Sequence, residues 1–173
     1  LFPIQLTPHR DEWRDWYAVE ARQLQNLLHD YIHAIAHIGS TAIPGIWAKP
    51  IIDILIEVAD KTALQNAATI LTAHGYLQMS ASANRISLNK GYTPQGFAER
   101  VFHIHLRLPD DHDEYEFRDY LQAHPDIAKQ YEALKLSLLK RYEHDRDGYT
   151  AAKGDFIREI TARAKTENQC RLP

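Results

Sequence analysis

The hydrophobic pattern of the first third of the chain predicts one helix and two strands. Apolar residues recur at spacings of three, four and seven from Trp13 onwards, which is typical of an amphipathic helix, and we predict this helix over 9–31. Residues 1–8 are predicted to form an extended lead-in before it, or an edge strand. A short apolar run predicts a strand over 33–38. The continuous β-branched run over 51–58 predicts a central strand that is covered on most of both faces.

The middle of the chain predicts a helix and three further strands. Asp60 is a typical N-cap for a helix over 61–74, and Gly75 is a typical C-cap for its other end. The segment 91–100 is polar and contains proline and glycine, so we interpret it as a loop. The predicted strands cover residues 76–80, 85–90 and 101–108.

The pattern after Pro109 is helical. Pro125 separates the first helix from the second, because proline interrupts helices, and Gly148 marks the next break. The tail over 166–173 is predicted to fray. We predict one domain over 1–173, in which an α/β core (1–109) carries a helical C-terminal part (110–173) packed on it. The predicted helices of this part cover residues 114–123, 126–142 and 150–165.

Composition narrows the class of protein. The chain has 173 residues, 45% hydrophobic and 25% charged, which suits one globular domain. A net charge of −3 gives no basic field for nucleic acid, so no nucleic-acid partner is expected. No apolar run reaches the ~18–20 residues of a membrane span, and a single cysteine excludes an internal disulfide. We therefore expect no membrane partner and a cytoplasmic location.

Gly39, Ser40 and Thr41 follow the first predicted strand. A glycine there allows the backbone to approach a ligand closely. If a helical turn starts nearby, its free N–H groups and the two hydroxyl groups can bind phosphate. A plain turn is the alternative interpretation.

Asp53 interrupts the apolar run of the second predicted strand. A carboxylate in such a run is costly to bury unless it is paired or bound to a cation. One interpretation is a ligand for Mg²⁺, which prefers oxygen donors and substrate phosphates. The other is a structural aspartate with satisfied hydrogen bonds.

His103 and His105 form a second group of candidate ligands. They are two residues apart on a predicted strand, so both side chains point to one face, with Arg107 beyond them. If this strand neighbours that of Asp53, the three side chains converge on a mixed carboxylate and imidazole site. Such donors suit Zn, Mn or Fe more readily than Mg. A packed or surface histidine pair is the alternative.

Several basic residues are candidates for binding an anionic ligand such as a nucleotide. Two of them, Arg118 and Lys153, lie in the helical part and can act as a lid, or else form salt bridges between helices. The others are each equally interpretable as solvated surface charges. These others are Lys49, Arg85, Lys90 and Arg107.

Four segments together resemble the GrpB family, within the polymerase-β-like nucleotidyltransferase superfamily. They read HIGSTAIPGIWAKPIIDILIEV (37–58), FHIHL (102–106), FRDYLQAHPDIAKQYEALK (117–135) and YTAAKGDFI (149–157). The resemblance implies an α+β fold: a minimal nucleotidyltransferase-like mixed β-sheet core with flanking helices and a helical C-terminal part. It also implies a likeness to domains fused to dephospho-CoA kinase.

The superfamily pattern implied by this resemblance consists of a Gly-Ser turn and three carboxylates that hold two divalent ions. Gly39 and Ser40 match the turn, and Asp53 matches the first carboxylate. Leu55 occupies the position of the second, and the strand of the third offers only His103 and His105. This departure leaves at most one ion, held by Asp53 and the histidines.

Two hypotheses of function follow, and the sequence leaves catalysis open. In the first, the protein is a nucleotidyltransferase-like enzyme in which Asp53 binds the metal, Ser40 positions phosphate, and a histidine ligates the metal or acts as general base. In the second, it is a non-catalytic accessory or regulatory domain that binds a nucleotide or a coenzyme-A-like ligand. A third reading, a structural interaction protein, predicts no ligand at the turn. The first two imply a small phosphate-bearing partner and a divalent metal such as Mg, Mn or Zn.

Overall fold

The computed structural model describes residues 2–170, which form five helices and five strands. The helices are α1 (Glu12–Leu28), α2 (Lys61–Ala73), α3 (Asp113–Ala123), α4 (Pro125–Tyr142) and α5 (Arg146–Cys170). The strands are β1 (Ile32–Ile38), β2 (Ile51–Val58), β3 (Leu77–Ala81), β4 (Arg85–Thr93) and β5 (Gly96–Arg107). This content confirms the predicted α+β class. Over the same residues, no helix combines the length and apolar character that crossing a bilayer requires.

The described residues divide into two compact units. The sheet unit comprises 10–38 and 50–111, and so holds α1, α2 and all five strands. The helical unit comprises 2–9, 39–49 and 112–170, and so holds α3, α4 and α5. The expectation that the whole chain behaves as one domain stays a prediction.

The five strands form one mixed sheet in the order β1-β2-β5-β4-β3. β2 pairs with β5 in parallel, whereas the other three neighbouring pairs are antiparallel. The parallel pair has a long crossover connection, which contains α2, β3 and β4. Asp60 caps α2 as predicted, since its Oδ1 accepts a hydrogen bond of 2.8 Å from the Ala63 N–H.

The strand register assigns each side chain to one of two sheet faces. One row of paired residues crosses all five strands. On the opposite face, β2 and β5 contribute isoleucines and a leucine that are fully buried, and α1 packs there, with Tyr17 stacked on His37 at 4.9 Å. Polar residues on the first face are therefore kept apart from the apolar core under α1. The row of paired residues on the first face consists, from β1 to β3 across the sheet, of Ile38, Asp53, His103, Asn89 and Leu77.

The helical unit has an apolar core of its own. Phe117 of α3 meets Tyr131 of α4 edge to face at 5.2 Å, and Tyr131 stacks on Phe156 of α5 at 5.5 Å. The loop after β1 contributes two isoleucines to this core, and its Ala48 forms an antiparallel bridge with Thr7 of the lead-in. The buried members are Ile43, Ile46, Phe117, Leu121, Ala128, Tyr131 and Ile160.

Three sequence-based expectations are wrong. The segment 91–100 is not a loop, because β4 continues to Thr93 and β5 begins at Gly96, so cross-strand pairing outweighs its polar composition. Gly148 lies inside α5, which begins at Arg146 rather than at residue 150. The start of this helix is capped by Asp145, whose Oδ1 accepts a hydrogen bond of 2.9 Å from the Gly148 N–H. The tail is helical over 166–170, and 171–173 lie outside the described residues.

Candidate metal and phosphate sites

Asp53, His103 and His105 converge on one face of the sheet. The parallel register pairs Asp53 of β2 with His103 of β5, and the period of two places His105 on the same face. His105 Nε2 is 2.9 Å from Asp53 Oδ1, and His103 Nδ1 is 3.5 Å from the same oxygen. Two strands that are far apart in sequence thus bring three ligand-type side chains together.

The environment of Asp53 favours its charged form. Burial alone would raise the pKa of its carboxyl group, but hydrogen bonds to His103 and His105 and their charges hold that pKa well below its usual range. The side chain of Asp53 is 27% exposed and each histidine side chain is 22% exposed. The carboxylate is therefore ionised at neutral pH and within reach of a small ion from solvent.

The three side chains fit a divalent metal. One ligand atom from each residue lies within 4.8 Å of the others. Metal–ligand bonds of ~2.0–2.2 Å place neighbouring donors of a tetrahedral ion roughly 3.3–3.6 Å apart, so small side-chain adjustments suffice. Two imidazole nitrogens and one carboxylate oxygen suit Zn or Mn better than Mg.

Tyr92 extends this group of side chains. Its hydroxyl group lies 2.8 Å from His103 Nε2, and the two rings are stacked with centroids 5.8 Å apart. The sequence did not point to Tyr92, because it lies in the segment interpreted as a loop. One signal was available in the sequence. Tyr92 comes two residues after the strand predicted over 85–90, and the strand predicted next along the chain carries the His-x-His pair.

The Gly39-Ser40-Thr41 segment forms the turn that the sequence predicts. Gly39 has a φ of 73°, in the left-handed region that favours glycine, and Ser40–Ala42 form a single 3-10 turn. The Ala42 and Ile43 N–H groups already donate to the carbonyl groups of Gly39 and Ser40. Thr41 is 3% exposed. Of the two hydroxyl groups at this turn, that of Ser40 is therefore the one that is less buried and within reach of a ligand.

Two of the predicted phosphate-binding lysines meet in the helical unit. The ammonium groups of Lys49 and Lys153 lie 4.6 and 4.7 Å from the centroid of the Tyr149 ring. Tyr149 is fully buried, and its hydroxyl group has no hydrogen-bond partner among the described residues. A concentration of positive charge beside an unsatisfied hydroxyl group is suited to an anion.

Lys135 joins this group and was missed at the level of sequence. It is 2% exposed, its ammonium group lies 4.8 Å from the centroid of the Tyr131 ring, and it donates a hydrogen bond to the Trp47 carbonyl group. Burial lowers the pKa of Lys135 to about 7, as do the charges of Lys153 and Lys49, against the charge of Glu132, which raises it. The only sequence signal was its position four residues after Tyr131, on the inner face of α4.

The remaining predicted basic residues are engaged in ion pairs or ring contacts. Arg85 donates two hydrogen bonds to Asp111, of 2.7 and 2.6 Å. Lys90 donates to both carboxylate oxygens of Glu20 at 2.9 and 2.8 Å, on the α1 face of the sheet and thus opposite Asp53. Arg118 donates to Asp119 at 2.7 Å. Arg107 is 5% exposed, with its Nε 3.8 Å from Asp111.

Similarity to solved structures defines the fold class. A crystal structure of the Cid1 poly(U) polymerase with MgGTP bound matches 78% of this chain and 43% of the other, with a TM-score of 0.53 at 14% identity. A second structure of that polymerase, with the UTP analogue UMPNPP, covers 84% of this chain with a TM-score of 0.54 at 11% identity. At these identities the likeness concerns the fold alone. The chain thus has an α+β fold similar to that of this polymerase.

Within this class, the chain belongs to the GrpB family: the family model described as GrpB protein matches residues 3–163. A crystal structure of the conserved protein GrpB from Enterococcus faecalis covers 95% of this chain and 99% of the other, with a TM-score of 0.83 at 29% identity. A UPF0157 protein from Pseudomonas aeruginosa is 36% identical over 93% of this chain. The chain spans 67% of that protein and 49% of UPF0157 protein YqkA from Bacillus subtilis.

Proposed function

We propose that this chain binds a divalent metal and a nucleotide or another phosphate-bearing ligand. The convergence of Asp53, His103 and His105 is the observation that carries the proposal. These three residues hold the metal, and Asp53 is the residue on which any catalysis depends. When bound, the metal would supply a positive charge that polarises a phosphoryl oxygen.

The phosphate-binding part of the proposal rests on the helical unit. Lys49, Lys135 and Lys153 place three ammonium groups around two tyrosine rings. Such charges repel one another, and an anion among them relieves this repulsion. The Gly39–Ser40 turn, which is also in this unit, supplies further donors, with Ser40 positioning a phosphate oxygen. Arg85 and Lys90 are engaged in ion pairs with Asp111 and Glu20, so the proposal does not depend on them.

A second candidate is a non-catalytic accessory or regulatory domain with the same ligands. Leu55 favours it, because this fully buried side chain lies where the superfamily carries its second carboxylate. A chain with one metal-binding carboxylate is better equipped to hold a nucleotide than to transfer part of it. A dephospho-CoA kinase from Mycolicibacterium paratuberculosis, 29% identical over 94% of this chain, extends this candidate to coenzyme A metabolism.

Calorimetric titration tests the metal site first. Zn²⁺ and Mn²⁺ should bind the wild-type chain with 1:1 stoichiometry, and Asp53→Ala should abolish the binding. Glu57→Gln is the matched control, because Glu57 lies on the same strand and face as Asp53, but its partner in the β2–β5 register is Arg107 rather than a histidine. No heat with any divalent metal, or equal binding by Asp53→Ala, would refute the proposed site.

The ligand and the reaction are tested separately. Thermal shifts with ATP, UTP and coenzyme A should appear in the wild-type chain and disappear in Lys153→Met, whereas Lys140→Met, exposed on α4, should leave them unchanged. Pyrophosphate release from a nucleoside triphosphate labelled at its α-phosphate, with the label recovered on an acceptor rather than as free nucleoside monophosphate, and with both dependent on Asp53, would establish transfer. Binding without release would establish the accessory domain instead.

A further inference from the structure

We propose that Tyr92 is a positioning residue for His103: its hydroxyl group holds the Nε2 edge of the ring, so that Nδ1 faces Asp53 and stays available to a metal. The inference rests on the proposed metal-binding function and adds a residue to it. The Tyr92 hydroxyl oxygen is 2.8 Å from His103 Nε2, while His103 Nδ1 lies 3.5 Å from Asp53 Oδ1. The two contacts use opposite edges of one imidazole ring.

The chemistry of imidazole explains why the second contact matters. A histidine that binds a metal through one nitrogen carries its proton on the other, and that N–H needs an acceptor to fix the ring. The phenol oxygen of Tyr92 accepts this hydrogen bond. The same hydroxyl group can instead donate to Nε2 when Nδ1 carries the proton, because phenol is both donor and acceptor. Tyr92 therefore holds the ring in either tautomer.

The hairpin places Tyr92 in this position through a backbone feature. The β4–β5 register shifts between Lys90 and Tyr92, at Gly91, whose φ is 92°. A Cβ atom at Gly91 would lie 2.3 Å from the Arg100 carbonyl oxygen, so the two strands approach each other more closely than another residue would allow. The Phe97 ring then contacts the Tyr92 ring edge to face at 5.2 Å. The orientation of Tyr92 thus follows from the bulge and from ring packing.

Tyr92→Phe is the decisive variant, because it keeps the ring and its packing and removes only the hydroxyl group. Loss of such an outer hydrogen bond typically weakens metal affinity by about 10–100-fold. We expect this loss for Zn²⁺ in Tyr92→Phe, measured by competition with a chromogenic chelator. Tyr17→Phe is the control, because Tyr17 stacks on His37 on the other face of the sheet and should keep wild-type affinity. Wild-type affinity in Tyr92→Phe would overturn the inference while leaving the metal site intact.

A spectroscopic measurement separates positioning from packing and does not depend on metal binding. The ¹⁵N resonances of His103, assigned by comparison with His103→Gln, report the hydrogen bond at each ring nitrogen. In the metal-free chain, Tyr92→Phe should move the Nε2 resonance of His103, and Tyr17→Phe should not. If the wild-type chain binds no zinc, the proposed function fails, and this resonance alone decides the role of Tyr92. An unchanged Nε2 resonance would refute that role.

Discussion

His105 Nε2 lies 2.9 Å from Asp53 Oδ1, although the strand partner of His105 is Leu55 rather than Asp53. The contact is therefore diagonal across the parallel β2–β5 pair. His103, the direct partner of Asp53, approaches the same oxygen. A single carboxylate oxygen between two imidazole rings is an arrangement that a metal ion can enter with little movement of the backbone.

Replacing His105 by Gln should weaken zinc binding by more than about 100-fold, because losing a direct ligand costs more than losing an outer hydrogen bond. Affinity in the wild-type chain should follow the order Zn²⁺, Mn²⁺, Mg²⁺, as the nitrogen donors dictate. Calorimetry with each ion measures both effects. His37→Gln is the control, because His37 lies on the α1 face of the sheet. If both variants lost zinc affinity equally, the loss in His105→Gln would not come from a missing ligand at the proposed site.

Asp53 should stabilise the fold in a pH-dependent way. Because its folded-state pKa is lowered, its stabilising effect is present above the unfolded pKa of ~3.9 and is lost as the pH falls through the folded pKa. Urea unfolding with a chelator present should therefore show wild type more stable than Asp53→Asn by about 1.5–3 kcal/mol at pH 5, as for hydrogen bonds to charged groups. The difference should shrink at pH 3. A constant difference over this range would contradict the lowered pKa.

Lys135 should make stability rise with pH above neutrality. Its pKa is lowered to about 7 in the folded state and is ~10.4 in the unfolded chain. Between these values the unfolded state binds the extra proton, so the free energy of unfolding increases with pH by at most about 1.4 kcal/mol per unit.

Lys135→Met should remove this rise, and Lys140→Met, on the exposed side of the same helix, should retain it. Chemical denaturation at pH 7, 8 and 9 measures the slope. An anion bound beside Lys135 favours its protonated form, so phosphate binding should also be accompanied by proton uptake near pH 8. Parallel slopes in the wild-type and Lys135→Met chains would show that Lys135 titrates normally.

Two glycines allow backbone strain to be distinguished from steric clash. Gly75 and Gly91 both have a left-handed φ, but a Cβ atom at Gly75 meets no atom within 4 Å. Gly75→Ala should therefore cost about 1–2 kcal/mol, the penalty of a left-handed conformation. Gly91→Ala adds a clash with the Arg100 carbonyl oxygen and should cost at least about 3 kcal/mol. If Gly75→Ala and Gly91→Ala lowered the free energy of unfolding equally, the hairpin would have rearranged to accommodate a side chain at residue 91.

The Glu20–Lys90 ion pair should prove structural. Glu20 keeps 4% of its side chain exposed and also accepts a hydrogen bond of 2.5 Å from the Tyr76 hydroxyl group. Lys90→Met leaves that charge buried, and should cost about 2–3 kcal/mol, less than the ~3–5 kcal/mol of a fully buried pair, because Lys90 is 32% exposed.

The double variant Glu20→Gln with Lys90→Met should recover part of that loss, since it leaves no unpaired charge. Ligand-induced thermal shifts should persist in both variants. Loss of the shifts in Lys90→Met, in a chain that remains folded, would show that Lys90 contributes to ligand binding as the sequence predicts.

Local signals predicted much of the fold. The apolar run of β2 fixed its bounds at Ile51–Val58, and Asp60 and Gly75 marked the ends of α2. The convergence of the histidines with Asp53 depended on which strands are neighbours. The family resemblance and the His-x-His spacing pointed to this site, but only the parallel register places the donors within reach of one ion.

Other features depend on contacts between distant residues, which a pattern does not record. The segment 91–100 has the composition of a loop, yet pairing with its partner strand made it a hairpin and moved Tyr92 beside His103. From its residue type alone, Lys135 is expected to be solvated. Its burial depends on its contact with Trp47 and on its position on the same helix face as Tyr131. Burial of a charge is decided by tertiary packing rather than by spacing.

The register of β5 links the metal site to correct folding. His103 and His105 share a face with Asp53 in the observed alignment, and a slip of β5 by one residue would turn both imidazole rings toward the side of the sheet where α1 packs. A chain with β5 misaligned by one residue would then be unable to form the three-ligand site, whatever its secondary-structure content. If the chain binds zinc as proposed, the number of zinc ions bound per chain would report the fraction of a refolded preparation whose central strands have their native alignment.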